Sequence, residues 1–290
     1  MPRFVAEPLD LSRLPAPAVI RDISFEAILA ARITSLQGRF TAAGIEYDVS
    51  SLETDPAVIL QQEDAYRETL DLAAINDAAK AVMLPYALGS DLDVIGSLFG
   101  CYRMTGEDDT RYRMRVALMP EAYASAGSAG AYIYHAMTTD TAVRHVWADC
   151  PSPGLARIVI LGTANGTATP AALVTKVQMR LGEDDIRPLT DHVVTLGAEI
   201  VNYSMSVRLT VPPGPDPSVV REIARAGLQN LAAARYRVNA GIDLSAIVGA
   251  AYAPNIRKIL VQSPAADIAA SPLAAPWCTG ITVETEVADD

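Results

Sequence analysis

The sequence predicts a multi-domain protein: an α-helical N-terminal half followed by an α+β C-terminal half with antiparallel strands. Three observations carry this. At 290 residues the chain is near the size at which one core stops growing and chains divide. Apolar residues recur at three-and-four spacing up to about residue 139, the mark of helices. Beyond that point the pattern turns to alternation, without a break over "VNYSMSVRLTV" at 201–211. The expected division is an extended arm at 1–20, a helical domain at 21–139 and an α+β part at 140–290.

The arm is read from four prolines with no periodic pattern. Ser24 then caps a helix whose stripe runs through Phe25, Ile28, Leu29, the stem of Arg32, Ile33, Leu36 and Phe40 and stops at Gly44. Asp55-Pro56 opens a second helix, aspartate as N-cap and proline at the first helical position, running to about Met83. This helix is apolar on more than one side. Ile59, Tyr66, Leu70 and Ala73 mark one face; Leu72, Ile75, Ala79 and Val82 mark another. Such a helix is either central in its own bundle or shared with another chain. With few helices around it, the shared option is credible, and Ile59, Tyr66, Leu70, Leu72, Ile75 and Val82 become the candidate partner-binding residues.

"GSDLDVIG" follows at 89–96, and then an acidic-start helix from about Asp108 to Tyr123, the loop "SAGSAG", and a short helix through Tyr132 and His135. "TAVRHVWAD" and "ARIVIL" read as strands around a "PSPG" turn, and "PAALVTKVQMRL" as an amphipathic helix. In 201–211, Val201, Tyr203, Met205, Val207, Leu209 and Val211 face one way, and polar residues the other. That is a half-buried strand with one wet face, read as antiparallel. Asp216-Pro217 starts a helix to about Tyr236. A short helix from Leu244, a strand at 256–261 and a C-terminal strand "ITVETEV" complete the chain.

Composition narrows the function. Half the residues are hydrophobic, 20% are charged and aromatics make up 6%, so the chain folds around aliphatic side chains. With 23 basic against 34 acidic residues the net charge is −11, which excludes a dominant basic footprint for nucleic acid and argues against anionic membranes. Cys101, Cys150 and Cys278 are far apart with no C-x-x-C, as in a reduced cytoplasmic product. The N-terminus lacks an apolar signal core, and no run of about 18 apolar residues occurs.

Each sign of chemistry has a structural explanation. Ser128 in "AGSAG" has the neighbours of a nucleophile elbow, but the segment before it is helix and not strand. His135, His145 and His192 form no metal-ligand spacing, and His145 with Cys150 is the nearest mixed pair. "GEDDIRP" reads as a solvated loop with a local Asp–Arg pair. The remaining alternative is a divalent-metal-dependent enzyme using Asp91 and Asp93. Against it, Gly89, Ser90, Asp91, Leu92 and Asp93 make a helix start. Ser90 is read as N-cap, Asp93 approximates the capping-box acid, and both aspartates suit the helix dipole. No cofactor or metal is expected.

A set of short stretches, in order, resembles the baseplate J-like family of contractile-tailed temperate phages: "LPAPAVI", "SFEAILAAR", "EDAYRE", "NDAAKAVML", "GSDLDVIG", "AGSAGAYIYHA", "CPSPG", "GEDDIRP", "PGPDP", "DLSAIVGAAY", "SPAADI" and "WCT". The resemblance implies a longer linker in some relatives than "CYRMTGEDDTR". The resemblance implies a non-enzymatic wedge component of the tail baseplate, in a phage or a phage-derived contractile particle, assembled in the host bacterial cytoplasm and retained in the virion. It implies as partners a second copy of the chain and a smaller wedge protein, joined through N-terminal helices in a shared bundle. It implies that the α+β part contacts neighbouring wedges, closing a ring around the hub, with the sheath-initiator and hub region as further partners of the protein.

Overall fold

The computed structural model describes residues 17–47, 53–124, 127–214 and 216–288. Most of the expected arm, residues 1–16, lies outside them, as do Ser125 and Ala126 of the "SAGSAG" loop. The last four residues of the expected arm, 17–20, form a turn closed by Ile20 N–H on the Pro17 carbonyl. Packing divides the chain into two compact units, one within residues 9–102 and one within 103–290.

Among the described residues, the first unit holds three helices: α1 (Phe25–Ala42), α2 (Pro56–Ala81) and α3 (Gly89–Leu98). Ser24 caps α1, its side chain accepting from Ala27 N–H. At the other end Gly44 takes φ +71°, the left-handed conformation that lets the chain leave a helix cheaply. Asp55 caps α2 by accepting from the N–H groups of Ala57 and Val58, and Pro56 sits at the first position, where no N–H is needed.

The second unit begins with α4 (Asp109–Ala122) and α5 (Ala129–Thr139). The change from helix to strand comes after residue 139, but these two helices pack with each other, and α5 packs on the first strand, inside this unit. One sheet has the order β1 (Val143–Ser152), β2 (Leu155–Gly162), β3 (His192–Gly197). β1 and β2 form a hairpin around Pro153-Gly154, with Gly154 at φ +80°. β2 and β3 run parallel because α6 (Ala171–Leu181) crosses between them.

The other sheet has the order β5 (Lys258–Ser263), β4 (Glu199–Val211), β6 (Ala274–Val287), with α7 (Pro217–Arg235) and α8 (Leu244–Ala251) between β4 and β5 in the chain. β4 alternates as its sequence requires, but its pairing corrects the antiparallel expectation. It is antiparallel to β5 and parallel to β6 along its whole length, from Glu199 opposite Ala274 to Val211 opposite Val287. The strands are therefore mixed. The route from β4 to β6 passes through two helices and β5, and so returns the chain to its starting end. Met205, Val207, Leu209 and Val211 pack against Val220, Ala224 and Leu228 of α7 and Ile247 and Ala251 of α8. Burial begins at Tyr203; Val201, expected on the same face, is exposed.

Candidate partner-binding surface

Among the described residues, the two long helices of the helical unit bury little. No residue of the 18-residue α1 is buried. Of the 26 residues of α2, only Val58, Ala65 and Asn76 are. These share one side of α2 with half-buried Leu72, and α1 is the helix that packs there. The rest of its circumference is exposed, with Ile59, Tyr66 and Leu70 on one flank, Ile75 and Val82 on the other, all at 50% to 75% exposure, and Leu60 between them. Five of the six candidate residues are thus uncovered in the single chain, and Leu72 lies at the edge of the α1 contact. Val94 and Leu98 of α3, one turn apart, are also exposed.

The α1–α2 contact is held by polar anchors. Arg32 reaches Glu68 at 2.7 Å and Asp64 at 3.6 Å. Asn76 donates to the Arg21 carbonyl at 2.9 Å and accepts from its N–H at 3.0 Å. Near the turn between the helices, Tyr47 packs edge-on against Phe40 and its hydroxyl donates to Asp55 at 2.7 Å. That bond, with the Val58 and Ala57 N–H groups behind it, holds the Asp55 carboxyl below the usual aspartate value. In turn, Tyr47 is pushed up to about 12.

"GSDLDVIG" is a helix start, but not with the cap expected. The N-cap is Leu88, which offers no side-chain acceptor, and Ser90 lies inside the first turn. Gly89 at φ +50° turns the chain so early that the Leu88 carbonyl already accepts from Asp91 N–H at 3.1 Å. Leu92 is fully buried, while Asp91 and Asp93 are exposed. Two residues apart on a helix, their side chains point to different sides and do not converge on one ion. Among the described residues no group of three or more His, Cys, Asp or Glu is placed to hold a metal.

The other chemical motifs have similar structural roles. Ser128 is the N-cap of α5, accepting from Ala131 N–H and lying 3.1 Å from Glu121, with helix α4 before it and not a strand. Glu183 and Asp185 pair with Arg180, and Asp184 lies 3.6 Å from Arg187, all on the surface.

One group escaped the sequence reading. Glu107 has a fully buried carboxylate that receives Arg111, with Arg115 at 3.3 Å. Arg111 also donates to the carbonyls of Met137, Asp140 (2.8 Å) and Val143 (3.1 Å), which ties α4 to the end of α5 and the start of β1. Burial pulls the Arg111 guanidinium below its usual value, opposed by Glu107. The signal was present as acid and two arginines at four-residue steps, 107, 111 and 115.

Residues 53–109, which include α2 and α3, match the model of the baseplate J-like N-terminal domain. The chain is 34% identical over 299 residues to baseplate protein J of Escherichia phage P2, with 97% of this chain and 99% of that protein aligned.

Proposed function

Because the chain belongs to the baseplate J-like family and is a structural component of a phage tail baseplate, we propose that it acts as a wedge subunit whose α1–α2 unit is completed by helices of partner chains. It is a virion protein and not an enzyme. In this reading a second copy and a smaller wedge protein contribute helices to a shared bundle. The α+β unit meets neighbouring wedges, closing a ring around the hub of a contractile tail or of a DNA-free relative of one.

The observation that supports the reading is the mismatch between the length of α2 and its burial. A helix of 26 residues with three buried side chains and five large apolar ones at least half exposed gains little from packing inside its own chain. Partner helices laid on that face supply the missing burial, at about 25 cal/mol per Å² of apolar surface removed from water.

Light scattering after size-exclusion chromatography tests this. Expressed alone, the chain is expected to self-associate or aggregate. Co-expressed with the small wedge protein of the same particle, it is expected to elute as a defined complex. A well-behaved monomer that ignores that protein would contradict the reading.

A further inference from the structure

The exposed side of α2 is acidic as well as apolar. Glu63, Asp71 and Asp77 lie exposed among the apolar residues, and Asp64, also exposed, lies 3.6 Å from Arg32 of α1. The cations on this helix are Arg67, already 3.1 Å from Glu63, and Lys80, 3.8 Å from Asp77. At four-residue steps Glu63 follows Ile59 and Ile75 follows Asp71, so a carboxylate that does not face α1 sits one turn from each of these two apolar anchors. The wider unit repeats the bias. Residues 9–102 carry 14 acidic and six basic residues, a net −8, against 19 acidic and 16 basic, a net −3, in residues 103–290.

We propose that this face takes a cationic amphipathic helix from a different chain, and not the α2 of a second copy. The proposal rests on the reading of α2 as a partner surface and adds the chemistry of the occupant. Two such faces laid together would set carboxylates against carboxylates beside a drying apolar seam, where repulsion is strongest. A helix with Lys or Arg flanking its own apolar positions meets both demands. Its alkyl stems extend the cover over Ile59, Tyr66 and Leu70, and its charged heads reach the carboxylates. A second copy that joins the bundle then does so through another face.

The test uses the full chain and two labelled designed amphipathic helices with one apolar pattern, one flanked by lysines and the other by glutamates, read by fluorescence anisotropy. The lysine helix is expected to bind at least about tenfold more tightly at low salt, with the gap narrowing as salt rises. Asp71→Asn with Asp77→Asn is expected to remove most of the preference, and Leu70→Asp to remove binding. Equal binding of the two helices overturns the charge selectivity and leaves the apolar surface standing. Binding of neither, with self-association abolished by Leu70→Asp, overturns the proposal in favour of a second copy. Lysine-helix binding that survives Leu70→Asp removes both the proposal and the partner-surface reading beneath it.

Discussion

Asn76 of α2 holds both sides of the Arg21 backbone, donating at 2.9 Å and accepting at 3.0 Å, and is among the few buried side chains of the helical unit. A buried amide satisfied in this way fixes where the chain entering α1 lies along α2. Asn76→Ala removes both bonds and leaves the Arg21 groups to find water. The expected cost is roughly 1–3 kcal/mol, concentrated in this unit. Hydrogen exchange measures it: protection should fall at the start of α1 and stay unchanged in β4.

The Glu107 carboxylate is the counterion of two buried arginines. Glu107→Ala strands both charges, and breaking a buried pair from one side costs about 3–5 kcal/mol. Urea denaturation of the α+β unit should show that loss, and Glu107→Gln a smaller one, because the amide still accepts a hydrogen bond.

Gly227 lies where α7 meets α8. A Cβ there would overlap the Ala250 carbonyl oxygen, a backbone atom that cannot swing aside. Alanine ordinarily improves a helix interior by about 1 kcal/mol over glycine. Here overpacking, at roughly 1–3 kcal/mol, opposes that gain, and Gly227→Ala is expected to lower the melting temperature.

Asp55 supplies a pH dependence of known sign. Its folded value is depressed, chiefly by the Tyr47 hydroxyl. The stabilisation is therefore complete above the ordinary value of 3.8 and is lost as pH falls below it through the folded value. Hydrogen exchange at the first turn of α2 should rise in that window. Tyr47→Phe should shift the loss to higher pH.

Much of this fold was legible because helix starts are local events. Ser24, Asp55, Asp108 and Asp216 each cap the helix expected of them, since an acceptor side chain and the next few N–H groups settle the matter. The β1–β2 hairpin was legible for the same reason. What failed depends on distant partners. Alternation in β4 says which residues are buried but not which way its neighbours run, so the parallel pairing with β6 was invisible. β3, six residues long and paired among the described residues with β2 alone, left no pattern long enough to read. Ser90 has the residue type of a cap, but the positive φ of Gly89 moves the start to Leu88. The exposed apolar residues of α2 were legible because an uncovered surface still follows the helical period, whereas Leu72, read with them, lies half-buried at the edge of the α1 contact.

Whether α2 is a partner surface is decided by incorporation of a surface variant into particles. Tyr66→Asp with Leu70→Asp alters side chains that are half exposed in the single chain, so its own stability should change by no more than about 0.5 kcal/mol. The expected outcome is a folded protein that mass spectrometry fails to find in purified particles. Entry of the variant into particles at the normal level would show that α2 binds no partner there.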